Sequence, residues 1–325
     1  MTKSVIVGAI AIATWALWLF CLGYPQALSH LLDHWRIALT MLLGSVIAGG
    51  TSVGGGAVAF PIFTKLLQIT PYDAKVFSLA IQSVGMGAAS LTIWFSGIQI
   101  ERRALFWSSL GGIPGIFLGL GLLAPVLPAD AIKLSFAVML GSFAVTLLAL
   151  NWGARRCNST IPIWGTSERG LLFLGGFLGG IMGGLVGNGI DICIFSLLVL
   201  LFRVSEKVAT PTSVILMAIN AIVGFVLQLF VFQDFTEPAV GYWLAAIPIV
   251  VVGAPLGAIF CSLLRREAIA NILIGLIAIE LVSSLLLIPL RPVVAISSLA
   301  ALMLFSGLNY WMCRIQIYTV QSESF

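Results

Sequence analysis

Apolar residues run along this chain in ten long tracts separated by short polar breaks. A membrane-spanning helix needs about 20 consecutive apolar residues, whereas a membrane-spanning strand is shorter and alternates in hydrophobicity. The tract lengths therefore predict an all-α integral membrane protein and exclude a β-barrel. The first tract follows Lys3 and lacks a convincing A-x-A cleavage site, so we expect a signal-anchor helix. The tracts cover approximately residues 5–23, 37–71, 76–98, 104–127, 131–152, 170–202, 208–232, 239–264, 268–290 and 292–313.

Two of these tracts, 37–71 and 170–202, are much longer than one span and are interrupted midway by glycines. The first break runs from Gly49 to Gly56, and the second runs from Gly183 to Gly189. Glycine runs weaken helices. Each tract is therefore either a broken helix that crosses once or a re-entrant hairpin that returns to the side it entered from.

The distribution of lysine and arginine separates these alternatives, because both residues favour the cytoplasmic side of a membrane protein. If each long tract crosses once, the 16 basic residues divide 9 to 7 between the two sides. If each tract is a hairpin, they divide 11 to 5. We therefore predict about eight full spans plus two glycine-broken re-entrant hairpins, with both termini cytoplasmic. The larger group is Lys3, Arg102, Arg103, Arg155, Arg156, Arg169, Arg203, Lys207, Arg265, Arg266 and Arg314, and the smaller is Arg36, Lys65, Lys75, Lys133 and Arg291.

The two long tracts open two copies of one unit. Gly54 aligns with Gly187 at an offset of 133, and Gly115 aligns with Gly253 at an offset of 138. Each copy is predicted to cross three times, an odd number, so the second copy is inverted, as in many secondary transporters. The predicted divisions are a signal-anchor helix and loop (1–35), repeat 1 (36–150), a cytoplasmic linker (151–169), repeat 2 (170–289) and a C-terminal helix and tail (290–325).

Glycines also recur at helical spacing inside the predicted spans. Gly111, Gly115 and Gly119 are four residues apart, and two further series of this spacing lie between Gly175 and Gly184. Small residues at this spacing let helix backbones approach closely in lipid. We interpret these glycines mainly as packing positions.

The composition excludes several classes of protein. Hydrophobic residues are 60% of the 325 residues and charged residues are 9%, against about 25% charged residues in soluble domains. A soluble enzyme and a nucleic-acid binder are therefore excluded, and the net charge of +4 is attributed to cytoplasmic loops. The five cysteines show no C-x-x-C spacing, so we predict neither a metal site nor a disulfide framework, and no cofactor.

The glycine breaks have the chemistry of an anion site. A half-helix that starts inside the membrane presents backbone N–H groups without helical partners, and its dipole favours negative charge. Two such starts, at Gly54–Ala57 and Gly187–Ile190, would face each other. The neighbouring tracts contribute polar groups at membrane depth. The predicted substrate-binding residues are Thr51, Ser52, Gly54, Gly55, Gly56, Ala57, Ser78, Gln82, Gly187, Asn188, Gly189, Ile190, Thr210, Thr212 and Ser213.

Asp191 is a carboxylate inside an apolar tract, two residues after Gly189. An intramembrane acid is by default a functional hypothesis. It would either couple proton binding to anion binding, or hold the N–H groups of the half-helix as a first-turn acid does. Both alternatives stay open at the level of the sequence.

One pattern points to an enzyme. Gly50-Thr51-Ser52-Val53-Gly54 reads G-x-S-x-G, the pattern of serine hydrolases. The nucleophile needs a base, and the two histidines, His30 and His34, lie before the first hairpin. An intramembrane hydrolase that uses Ser52 is therefore the weaker interpretation, and we predict no catalytic residues.

The paired glycine motifs, the first running into Ala59-Phe60-Pro61-Ile62-Phe63, resemble the sulfite exporter TauE/SafE family of anion permeases over about residues 36–289. The resemblance implies transport of sulfite, organosulfonates or related sulfur oxyanions, often by export. It places the family's glycine motifs on Gly54–Gly56 and Gly187–Gly189, and its small hydroxyl segment on Thr210, Thr212 and Ser213. In the second copy Asn188 stands where glycine is usual, Asp191 is extra, and no proline matches Pro61.

The sequence therefore predicts a permease of the bacterial-type inner membrane that exports a small sulfur oxyanion by alternating access. A facilitative anion channel is the alternative within transport. Expected partners are the oxyanion and the lipid bilayer, with no nucleic acid, and a homodimer is allowed.

Overall fold

The computed structural model describes residues 3–52, 54, 62–63, 67–151, 157–289 and 291–315. These residues form helices joined by short connections, which confirms the predicted all-α class. The helices are α1 Lys3–Leu22, α2 Tyr24–Asp33, α3 Trp35–Gly50, α4 Pro71–Phe95, α5 Arg102–Leu118, α6 Ala129–Asn151, α7 Thr166–Val186, α8 Ile190–Ser196, α9 Glu206–Val226, α10 Ala239–Leu263, α11 Arg266–Leu287 and α12 Pro292–Arg314. One π-helical turn extends each of α5 (Gly119–Leu123), α8 (Leu197–Leu201) and α9 (Leu227–Phe232).

Within this described part, nine helices are long and apolar enough to cross a membrane, namely α1, α4–α7 and α9–α12. The pair α2 and α3, bent by 81° at their junction, passes the same test together. The chain is therefore a multi-pass membrane protein. Eight of the nine long helices coincide with the predicted full spans, and the ninth, α7, is the first arm of the second predicted hairpin.

One end of the bundle, the Arg203 end, gathers segments that are far apart in sequence. The backbone N–H of Asn158 donates to the carbonyl of Arg203 at 2.8 Å, and a guanidinium nitrogen of Arg203 donates to the carbonyl of Cys313 at 2.6 Å. The N–H of Ile161 donates to a carboxylate oxygen of Glu101 at 2.9 Å. The chain before α7 therefore lies beside the chain after α8.

The opposite end, the His34 end, is defined by a different set of contacts. The Tyr72 hydroxyl donates to Asp234 at 3.1 Å, and the rings of His34 and Tyr242 meet edge to face with centroids 5.1 Å apart. Ile37, at the start of α3, and Ile69, before α4, belong to one buried cluster there. The chain before α3 therefore lies beside the chain that leads into α4.

The described start and end of each long tract lie at the same end of the bundle, as expected for re-entrant hairpins. The first enters from the His34 end and the second from the Arg203 end. In the second, α8 packs back along α7, since a Cβ on Gly179 would lie 2.6 Å from the Cα of Ile190, and one on Gly175 would lie 3.2 Å from the side chain of Ile194. Over the described residues these contacts favour the hairpin interpretation, with the two hairpins pointing in opposite directions. Residues 55–61 and 64–66, which follow the first break, lie outside the described residues. The boundaries of the two repeats stay a prediction.

The described basic residues separate between the two ends as the hairpin topology requires. Lys65, Arg155 and Arg156 lie outside the described residues. The Arg203 end holds Lys3, Arg102, Arg103, Arg169, Arg203, Lys207, Arg265, Arg266 and Arg314, and the His34 end holds Arg36, Lys75, Lys133 and Arg291.

Each hairpin packs tightly, through glycines, against one helix of the other copy: α7 against α5, and α3 against α10. The parallel helices α5 and α7 meet backbone to backbone, with Gly112 against Gly180 and Gly119 against Gly184. In the equivalent pair, α3 and α10, a Cβ on Gly50 would lie 3.0 Å from the carbonyl oxygen of Gly257. The packing role predicted for these glycines is confirmed.

The largest buried cluster surrounds α8. Phe195 and Leu198 are buried there against Phe143 of α6 and Leu273 of α11. This cluster holds the returning arm of the second hairpin inside the bundle.

Candidate functional site

The tips of the two hairpins meet inside the bundle. At about 1.5 Å per residue, the 16 residues of α3 rise about 24 Å and the 21 residues of α7 rise about 31 Å. Because a bilayer core is about 30 Å thick, two arms that enter from opposite ends overlap in depth. A Cβ on Gly54 would lie 3.3 Å from the side-chain amide nitrogen of Asn188 and 3.5 Å from the sulfur of Met217. The two breaks, which the sequence only aligned, are therefore in contact.

Gly187 ends α7 in the left-handed conformation, with φ of 91°. Its carbonyl accepts a 3.0 Å hydrogen bond from the amide of Gln82, which also donates to the Ser78 hydroxyl at 2.6 Å. A Cβ on Gly187 would lie 3.1 Å from the Ser78 side chain. The structure thus brings Ser78 and Gln82 of α4 against the second break, as predicted.

Asp191 is fully buried in the first turn of α8, beside Ile190, which is also buried. One oxygen of its carboxyl group accepts the backbone N–H of Gly189 at 2.9 Å. The geometry of a first-turn acid holding a break N–H group is therefore present. The other oxygen has no hydrogen-bond partner among the described residues. Asp191 is thus both a structural contact of the hairpin and a group with spare bonding capacity.

The buried polar atoms near the breaks that lack a partner in the described structure include Ser52 Oγ, Gln82 Oε1 and Asp191 Oδ2. Buried polar atoms are nearly always hydrogen-bonded, so such a group is typical of a place that a ligand or water occupies. Thr51, in contrast, donates its hydroxyl to the carbonyl of Ile47 at 2.9 Å. Gly55, Gly56 and Ala57, the first predicted half-helix start, lie outside the described residues.

The hydroxyl segment of α9 consists of Thr210, Thr212 and Ser213. It is nearer to the Arg203 end of the bundle than the contact between Gly54 and Asn188 is. Thr212 donates to the carbonyl of Val208 at 2.6 Å and accepts the N–H of Glu101 at 2.9 Å. Ser213 donates to the carbonyl of Thr210 at 2.8 Å. Only the Thr210 hydroxyl, of these three, has no partner among the described residues.

Thr210 lines a small cavity at the Arg203 end, beside the tip of α3. Lys207, in the first turn of α9, is exposed and lines the same cavity with Gly49 and Ser262. The Lys3 ammonium group donates to the Ser262 hydroxyl at 3.2 Å, so α1 borders this region. The cavity combines positive charge with hydroxyl groups on one side of the first break. Lys207, three residues before Thr210, is not among the residues predicted from the sequence.

Glu280, inside the apolar tract 268–290, is likewise not among the residues predicted from the sequence. In the structure it is buried on α11, and Lys133 of α6 is the main charge acting on it. This pair lies outside the hairpins. Its signal in the sequence was a carboxylate at membrane depth, the same signal that singled out Asp191.

The geometry places both histidines too far from Ser52 for the serine-hydrolase interpretation. His34 stands directly before α3 and Ser52 directly after it, which separates them by about 24 Å of helix. The ring of His34 instead packs on Tyr242. His30 lies one helical turn earlier, on α2. Ser52 therefore has no histidine base within reach.

A family model described as sulfite exporter TauE/SafE matches residues 37–284. The match includes both hairpins and excludes α1 and α12. No curated protein and no solved structure matches the chain.

Proposed function

Because this chain belongs to the sulfite exporter TauE/SafE family, we propose that it exports a small sulfur-containing oxyanion, such as sulfite or an organosulfonate, from the cytoplasm. Members of this family are membrane transporters and not enzymes. The proposed binding site lies where the two hairpin tips meet, and transport proceeds by alternating access.

The observation that carries this proposal is the contact between Gly54 and Asn188. These residues belong to the two glycine breaks, whose hairpins enter from opposite ends of the bundle. Helix starts at such a contact provide backbone N–H groups that bind an anion without a neighbouring lysine or arginine. The Ser52 hydroxyl and the Asn188 amide add donors of fixed direction. Rocking of one hairpin unit against the other would expose this contact to each side in turn.

Asp191 gives the proposal a coupling step. An ionised carboxylate beside an anion repels it, whereas a protonated carboxyl group can donate a hydrogen bond from its free oxygen. We therefore propose that a proton and the oxyanion bind together.

The Arg203 end is proposed to face the cytoplasm, because it carries most of the described basic residues. Both termini then lie in the cytoplasm, and the membrane is the inner membrane of a bacterial-type cell. The cavity beside Lys207 and Thr210 becomes the cytoplasmic entrance. A homodimer stays a prediction, which the mass of the purified protein in detergent would test.

Anion binding tests the proposed site. We expect one sulfur oxyanion in a panel of sulfite, sulfate, thiosulfate, a short sulfonate, acetate and chloride to raise the thermal stability of the purified protein selectively. Saturation at a hundredfold excess over Kd corresponds to about 2.7 kcal/mol. Ser52→Ala should weaken that binding about 2- to 13-fold, since one neutral hydrogen bond contributes about 0.5–1.5 kcal/mol.

Ser108→Ala is the matched control for this experiment. The Ser108 hydroxyl is also buried without a partner in the described structure, but it lies in the seam between α5 and α7. Its loss should leave the anion Kd unchanged. Equal stabilisation by all anions, or an equal effect of the two variants, would contradict a site at the first break.

Lys207 should govern the encounter with the anion. Lys207→Gln is expected to raise the half-saturating anion concentration about two- to fivefold at low salt, and less at 0.5 M salt, because exposed charges are screened. Arg265→Gln removes an exposed charge at the same end outside the cavity and should have a smaller effect. Transport assays in proteoliposomes measure the half-saturating anion concentration of both variants. Equal effects of the two substitutions would contradict the proposal that the cavity beside Lys207 is the entrance.

The channel alternative predicts different kinetics. A continuously open path gives flux that does not saturate and cannot be driven by counterflow, whereas alternating access gives both saturation and counterflow. Counterflow of labelled sulfite in proteoliposomes separates the two.

A further inference from the structure

Three arginines at the Arg203 end stack on tryptophans. The guanidinium carbon of Arg103 lies 5.2 Å from the ring centre of Trp164, and that of Arg169 lies 5.8 Å from both Trp164 and Trp107. Arg102 lies 5.1 Å from Trp94. Stacking on an aromatic face fixes a guanidinium group and leaves its N–H edge available to an oxyanion.

The positive charge of these arginines lies at the protein surface. All three are exposed, and none forms an ion pair with a described residue. The nearest carboxylates are buried and accept backbone N–H groups: Glu101 from Ile161 and Glu168 from Gly165. The parallel helices α5 and α7 also begin side by side here, so both helix dipoles add positive potential.

A lipid-facing apolar surface starts directly below the charges. On α5 it follows Arg103 at helical spacing, and on α7 Phe173 stands one turn after Arg169. Its most exposed member on α5 is Phe106, at 61%. Positive charge at the end of the bundle continues into an apolar strip along the helices. This arrangement is complementary to a phospholipid, whose anionic headgroup lies above its acyl chains. The exposed residues of the α5 strip are Phe106, Leu110, Ile113 and Phe117.

The equivalent place at the other end has fewer stacked arginines among the described residues. There α3 and α10 form the corresponding parallel pair, with one stacked arginine, Arg36 over Trp35 at 5.7 Å. The His34 end also holds fewer of the described basic residues than the Arg203 end, four against nine. The asymmetry points to a headgroup in one leaflet only.

We propose that Arg103, Arg169 and Trp164 form a binding site for an anionic glycerophospholipid at the Arg203 end, with its acyl chains along α5 and α7. The phosphate group bridges the two arginines, and the lipid thereby ties α5 to the first arm of the second hairpin. This site is separate from the transport site and does not depend on which anion is carried.

The test is a lipid titration of the full chain in neutral-detergent micelles, followed by thermal unfolding. Dioleoyl-phosphatidylglycerol should stabilise the wild type well above dioleoyl-phosphatidylcholine. Each arginine near an anionic lipid contributes about fivefold in affinity, so Arg103→Gln/Arg169→Gln should bind phosphatidylglycerol about thirtyfold more weakly. Arg36→Gln, which removes the stacked arginine of the other end, should keep the preference.

Three outcomes would overturn the proposal. The first is equal stabilisation by the two lipids. The second is an unchanged preference in the double variant, whose folding is verified by its unfolding temperature without added lipid. The third is equal stabilisation by glycerol 3-phosphate, which has the headgroup charge without acyl chains and would indicate a soluble phosphate site.

Discussion

Asp191→Asn should abolish accumulation of the oxyanion driven by a pH gradient while it preserves exchange of the anion across the membrane. Asparagine can still accept the N–H of Gly189 through its amide oxygen, so the hairpin keeps its contact. It cannot carry a titratable proton. A one-unit pH gradient supports up to about tenfold accumulation per coupled proton, because tenfold in concentration equals about 1.4 kcal/mol. In the variant this ratio should fall to about one.

The matched control is Glu280→Gln, which neutralises another buried carboxyl group, on α11 and outside the hairpins. Proteoliposomes with an imposed pH gradient measure accumulation, and counterflow at equal pH measures exchange. The control should retain gradient-driven accumulation. If Glu280→Gln loses coupling while Asp191→Asn keeps it, the coupling proton resides in the pair formed with Lys133, and Asp191 is only a structural acid.

Gly180→Ala should destabilise the protein by about 3 kcal/mol, although it adds a single methyl group. The new Cβ would meet the backbone of Gly112, with its Cα only 2.9 Å away. Backbone atoms cannot rotate aside as a side chain does, so α5 and α7 must separate. Overpacking of this kind costs about 1–3 kcal/mol, and contact with backbone belongs at the upper limit.

Gly275→Ala provides the opposite result from the same substitution. Gly275 lies on an exposed face of α11, and a Cβ there would have no neighbour within 4 Å. Alanine in a helix interior is about 0.5–1 kcal/mol more favourable than glycine, so this variant should be slightly more stable. Unfolding of both variants in the same detergent measures the difference. Equal effects would mean that the close approach of α5 and α7 does not hold the hairpin in place.

The sequence by itself determined the membrane environment, the helical class and the two hairpins. These follow from local properties: the length of each apolar tract, the glycines that interrupt it and the side on which its flanking charges lie. The distribution of basic residues was sufficient to favour hairpins over broken spans, and the contacts at Arg203 and His34 agree with that preference.

Only the tertiary structure decided which polar groups are neighbours. The sequence placed Ser78, Gln82, Thr212 and Ser213 in one predicted site at equal standing. The fold sets Ser78 and Gln82 against Gly187, whereas Thr212 and Ser213 use their hydroxyls inside α9 near Glu101. The depth and rotation of a helix are fixed by its packing against distant segments, and hydropathy carries no information on either. For the same reason, only the assembled helices showed that Lys207 lines one cavity with Thr210, and that Lys133 is the main charge acting on Glu280.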